Sequence, residues 1–153
     1  MRARADDAPI TGSLDPTIAP LVHAMRDAGF PTLSCCEGHF VPDAFRHLRP
    51  NVVFWVKDRG LLHAWVREIS RPKAPDVLPV EVHLSPTWND AVDVVHEDNW
   101  GLYLDLTVCD SAAEAARRRD ATFAFLLTAL RHAQTERPRS MDAFMRSWWS
   151  TGV

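Results

Sequence analysis

Two thiols, a carboxyl group, a glycine and an imidazole occupy five consecutive positions, Cys35, Cys36, Glu37, Gly38 and His39. Three chemistries fit these residue types. Thiolate and imidazole together suit zinc or another borderline-to-soft transition metal. Cys36 and His39 have Cys-x-x-His spacing, which lets both side chains converge from one turn. Two ligands do not close a site, so a distant residue must complete it. The expected set is Cys36, His39 and His83, with His96, Cys109 and Asp105 as alternatives for the distant position.

A second chemistry makes Cys35 or Cys36 a catalytic thiol. A nearby imidazolium, or backbone amides opened by Gly38, would favour the thiolate. Glu37 would then serve as general base or orient His39. In the third reading the loop is structural: Cys35 packs as a small apolar residue, Gly38 permits a turn with positive φ, and His39 hydrogen-bonds the loop.

The surrounding pattern says which elements present this loop. Asp15-Pro16 supplies an N-cap and a first-turn proline, and Ile18, Leu21, Val22 and Met25 follow at helical spacing until Gly29. Positions 31–35 predict a short strand leading into the loop. If Cys35 lies in that strand, it and Cys36 face opposite ways. Positions 51–56, Asn-Val-Val-Phe-Trp-Val, form an apolar run that predicts a buried central strand. Leu61, Leu62, Trp65, Val66 and Ile69 mark the face of a second helix, ended by Pro72 and Pro75.

Val80, Val82 and Leu84 alternate with Glu81 and His83, and Leu102, Leu104, Leu106 and Val108 alternate with Tyr103, Asp105 and Thr107, so both stretches predict strands. If the two are neighbours, Glu81, His83, Tyr103 and Asp105 line one surface. Val92, Val94 and Val95 predict a short extra strand. Ser111 and Glu114 form a capping box for a helix to about Gln134, Pro138 breaks it, and Ser140 caps a last helix through Trp149. Paired strands between helices predict an α/β (α+β type) single domain with a mixed four- to five-stranded sheet and helices mainly on one face. Residues 1–12 read as a flexible arm and 13–153 as the domain.

Several other residues are assigned to ordinary surface or core roles. His23 and His63 read as helix-surface or satisfied core histidines, and His96-Glu97-Asp98 as a solvated charged turn. Arg117-Arg118-Arg119 winds round its helix and reads as a solvated face. Trp148 and Trp149 point to opposite sides of the last helix, so one is expected on the core and the other on a partner chain or ligand.

The segment 28–39, Ala-Gly-Phe-Pro-Thr-Leu-Ser-Cys-Cys-Glu-Gly-His, resembles the Ser-Cys-x-Gly-His segment of small uncharacterised bacterial and phage proteins. More remotely, it is similar to the Ser-Ser-Cys-Ser-Gly-Arg motif of the wybutosine-synthesising tRNA methyltransferase family. The match covers about thirty residues and aligns Ser34, Cys35 or Cys36, and Gly38, with His39 where that pattern has arginine. The resemblance implies an α/β fold with a working loop in which Ser34 and Gly38 hold a ligand, and a nucleic-acid-modifying enzyme as one function class.

Composition bounds these readings. The chain has 153 residues, 46% of them hydrophobic and 24% charged, which is enough to build one real core. Its net charge of −3 provides no electrostatic footprint for nucleic acid or an anionic membrane, so neither partner is expected. No apolar run reaches membrane-span length, and three cysteines, two of them adjacent, argue for reduced thiols in the cytoplasm rather than a disulfide framework. The leading expectation is a small cytoplasmic protein that binds zinc or a small ligand at its loop. A non-enzymatic interaction module, homo-oligomeric through its tryptophan-rich end, is the competing class.

Overall fold

The computed structural model describes residues 14–46, 49–84, 87–89, 94–96 and 99–150, with the side chains of 87–89, 94–96 and 137–150 excepted. The elements run α1 (Ala19–Asp27), β1 (Thr32–Cys36), β2 (Asn51–Trp55), α2 (Arg59–Ile69), β3 (Val80–Leu84), β4 (Thr87–Asn89), β5 (Val94–His96), β6 (Asn99–Leu104) and α3 (Ala112–Ser150). Strands β1, β2, β6 and β3 form one sheet in that order, while β4 and β5 pair as a separate ribbon. The fold is α+β in a single domain. Every pairing is antiparallel rather than mixed. Among the described residues no helix intervenes between β1 and β2, so that connection can reverse directly, without the crossover a parallel pair needs.

Strand parity gives the sheet two different faces. Val52, Phe54, Leu102 and Leu104 are buried on one face with the helices. There Trp65 of α2 lies against Phe54 and Phe30, its ring centroid 6.1 Å from the first and 5.7 Å from the second. The Trp65 indole donates to the Leu126 carbonyl of α3 at 3.1 Å, tying the two helices together. Arg26 of α1 donates to Thr32 Oγ1 at 2.9 Å, and the Leu78 amide donates to Thr122 Oγ1 of α3 at 2.8 Å. Val82 and Leu84 continue this face outward, where Leu84 is exposed. The opposite face carries Ser34, Cys36, Asn51, Glu81, His83 and Tyr103.

Helix ends follow local chemistry, with informative shifts. α1 opens at Ala19, after a turn whose Ile18 and Ala19 amides bond the Asp15 carbonyl, so Asp15-Pro16 initiates the turn rather than the helix. It closes with the Phe30 amide on the Met25 carbonyl and the Gly29 amide on Arg26, a Schellman pattern. Asp58 caps α2 by accepting the Leu61 amide at 3.0 Å. Ser111 caps α3 through the Glu114 amide, and Glu114 reaches back to the Asp110 amide at 3.0 Å, which holds its carboxyl below the usual carboxylate range.

Three expectations are corrected. β6 ends at Leu104, because the Asp105 carboxylate accepts the Thr107 amide and hydroxyl and turns the chain; Leu106 and Cys109 are buried through that turn instead of a strand. α3 runs as one helix through Pro138, since proline deletes one N–H without obliging the following residues to leave the helix. Arg118 and Arg119 are not solvated. Arg118 donates to the Pro75 and Val108 carbonyls, Arg119 is buried, and only Arg117 is exposed. The expected arm at 1–12 and the side chains of His96, Trp148 and Trp149 lie outside the described residues. No described helix, α3 included, is long and apolar enough to cross a membrane.

Candidate functional site on the polar sheet face

The register of the four strands draws a row of polar side chains across this face. Cys36 of β1 pairs with Asn51 of β2, Asn51 with Tyr103 of β6, and Tyr103 with Glu81 of β3. The next row on the same face is Ser34, Val53, Gly101 and His83. The expected juxtaposition of Glu81, His83 and Tyr103 is thus present, and Asp105 follows one residue beyond β6. Arg49, just before β2, joins them: it bonds Glu81 at 2.9 Å, and its guanidinium lies 5.2 Å from the Tyr103 ring centre. The Arg49 carbonyl also accepts from Asn51 Nδ2 at 2.9 Å. Thr107 and, more weakly, the Arg49 charge hold the Asp105 carboxyl below its ordinary range.

Tyr103 depends on an absent side chain. A Cβ built on Gly101 would lie 2.2 Å from the Tyr103 ring, so only glycine lets the ring lean across this position. The ring stacks on His83 with centroids 4.8 Å apart and planes 6° from parallel. Gly101→Ala is therefore expected to expel the Tyr103 ring and break this stack. Histidine ring-proton shifts in an NMR spectrum should move at His83 and stay in place at His23 and His63; an unmoved His83 would show that the ring keeps its position.

The loop from Cys35 to His39 splits between the two sides. Cys35 lies on the helix side, and burial pushes its thiol up, with the Asp15 and Cys36 charges adding and Arg26 opposing. Cys36 lies on the polar face, half-buried, where its sulfur accepts the Gly38 amide at 3.4 Å. Glu37 turns back toward α3: its carbonyl accepts from Arg119 at 3.1 Å, and its Oε1 stands 4.0 Å from the same guanidinium. Its Oε2 is buried with no hydrogen-bond partner among the described residues. The Arg119 guanidinium also covers the Phe40 ring at 4.6 Å. Gly38 is buried at φ +91°, and His39 is exposed.

This placement separates residues that the spacing had grouped. Cys35 and Glu37 face the helical layer, so Cys36 is the loop thiol on the polar face. Cys36 and His83 belong to the two edge strands, about 14 Å apart at three strand spacings. One ion cannot be ligated by both. His96 lies outside the described side chains, and Cys109 is buried, with its thiol pushed up by desolvation. Among the described residues, no three His, Cys, Asp or Glu side chains are grouped to hold a metal ion.

Spacing alone points to neither Arg49 nor Asn51, and it places Arg119 on a solvated face. Arg49 and Arg119 act through partners 32 and 82 positions away, and no local spacing announces such pairs. Asn51 is different: it opens an apolar strand run, and a polar residue at such an end marks where the strand meets solvent. No protein-family model, curated protein or solved structure matches this chain.

Proposed function

We propose that this protein binds a small polar organic ligand on the polar face of its sheet. Cys36, Asn51, Arg49, Tyr103, Glu81 and His83 form the contact surface. The observation that carries the reading is the row Cys36–Asn51–Tyr103–Glu81, which spans all four strands on one face. Its length suits a molecule rather than an ion. Thiol, amide, guanidinium, phenol, carboxylate and imidazole together offer donors and acceptors to a ligand lying across the strands. The surface pair Arg49–Glu81 contributes little stability by itself, so a ligand can compete for either partner at small cost.

Residue-resolved alkylation tests this directly. In the free protein, iodoacetamide should label Cys36 first, because Cys35 packs against the core and Cys109 is buried. Nucleoside monophosphates, amino acids, dicarboxylates and sugar phosphates then serve as a panel. A ligand of the proposed kind should slow Cys36 labelling several-fold and raise the melting temperature, and Asn51→Ala and Arg49→Ala should abolish both effects. If labelling of Cys36 and the melting temperature respond to no member of the panel, the proposal fails for these classes. Protection that survives both substitutions would move the site elsewhere.

A further inference from the structure

We infer that β3 is a self-complementary edge through which two copies of this chain pair, joining their sheets across a two-fold axis at Val82. The two edges of the sheet differ. β1 has a register irregularity between Thr32 and Ser34, which disrupts an edge for further pairing. β3 pairs with β6 in unbroken register along all five of its residues, and among the described residues no strand pairs with its other edge.

The hydrogen-bond phase of β3 identifies what that edge offers. Asp105 donates its amide to the Pro79 carbonyl, so Pro79, Glu81 and His83 direct their backbone groups toward β6. Val80, Val82 and Leu84 therefore direct theirs outward. In an antiparallel pairing centred on Val82, Val82 meets Val82 of the second copy and Val80 meets Leu84. Each outward amide then finds a carbonyl, and each outward carbonyl an amide.

The side chains agree with the same axis. Glu81 falls opposite His83 of the second copy in the non-hydrogen-bonded positions, where cross-strand side chains approach most closely. An acid thus meets an imidazole twice, related by the two-fold. Leu84, 52% exposed in the single chain, meets half-buried Val80. The axis also keeps both helical layers on one side of the joined sheet. No other centre of antiparallel self-pairing within these five residues keeps both the backbone phase and the Glu81–His83 match.

A five-residue edge is small beside the roughly 1,200–2,000 Å² of stable complexes, so the dimer should be reversible and concentration-dependent. Sedimentation velocity across a wide concentration range tests this on the full chain. The wild type should shift from monomer toward dimer as concentration rises. Glu81→Lys, which sets a cation opposite His83, should weaken association at least five-fold. The double exchange Glu81→His with His83→Glu restores the acid–imidazole match and should recover it. Val82→Pro removes the central outward N–H and should abolish dimerisation, with circular dichroism reporting whether the monomer stays folded. A wild type that remains monomeric at about 1 mM overturns the inference. So does a dimer indifferent to Glu81→Lys, or one that the double exchange fails to recover.

Discussion

Trp65→Ala is expected to lower the unfolding free energy by about 3–5 kcal/mol, the range for truncating a fully buried aromatic side chain. Trp65 has no exposed surface, and it stands where α2, α3 and the sheet meet. Its ring stacks on Phe30 at 17° and packs against Phe54 at 50°, so its loss leaves two aromatic rings facing a void. The donated bond to the Leu126 carbonyl is lost as well. Trp65→Phe separates these contributions: it keeps a ring in place and removes the donor, and should cost about 1–2 kcal/mol. Chemical denaturation measures both variants. For a chain of this size the alanine variant should melt roughly 6–20 °C lower. A loss under about 1 kcal/mol would mean that α2 is not seated on the sheet through this residue.

Gly38→Ala should be the most damaging single-methyl change in the Cys-Cys-Glu-Gly-His loop, at about 2–4 kcal/mol. Part of the cost is backbone: φ of +91° is a conformation that L side chains rarely adopt, and left-handed backbone costs roughly 1–2 kcal/mol for a non-glycine residue. The rest is crowding. The added carbon would sit 3.0 Å from Pro50 Cγ and 3.1 Å from Phe40, and the Phe40 ring is itself held under Arg119. Relief requires the loop to move, which would pull the Gly38 amide from the Cys36 sulfur and the Glu37 carbonyl from Arg119. Two readouts should therefore change together, a lower denaturation midpoint and a faster alkylation of Cys36. An unaltered midpoint would show that the loop tolerates a side chain, and would undercut the rigid placement of Cys36.

The loop illustrates what spacing can and cannot convey. The divergence of Cys35 and Cys36 was legible from strand alternation, whereas the strand order that puts His83 on the edge opposite Cys36 was not. Gly38 was legible as a positive-φ position, because glycine before a reversal has few other uses. Its tight packing against Pro50 and Phe40 was not, since that depends on how the following loop folds back. Arg119 looked like one of three solvated arginines; its burial follows from where α3 lies beside the Glu37 carbonyl.

Secondary structure was largely readable because hydrophobic period and capping chemistry are local. The apolar run at 51–56, the alternation at 80–84, the helical stripe from Leu61 to Ile69 and the Ser111–Glu114 box all correspond to observed elements. Errors fell where local signals compete. Leu106 and Val108 continue a strand-like alternation, but the Asp105 side chain bonds the backbone at Thr107 and turns the chain first. Proline at 138 signals a break that the helix passes through.

By itself, then, the sequence determined the α+β class, the main elements and the Ser111–Glu114 cap of α3, because each depends on residues within a few positions of one another. It also determined that adjacent cysteines in a strand must diverge. Tertiary structure alone decided the strand order β1-β2-β6-β3, which puts Cys36 and His83 on opposite edges and lines Cys36, Asn51, Tyr103 and Glu81 across one face. That order depends on which strands pair across long stretches of chain, and on which face the helices cover. Neither is encoded in the spacing of any single motif.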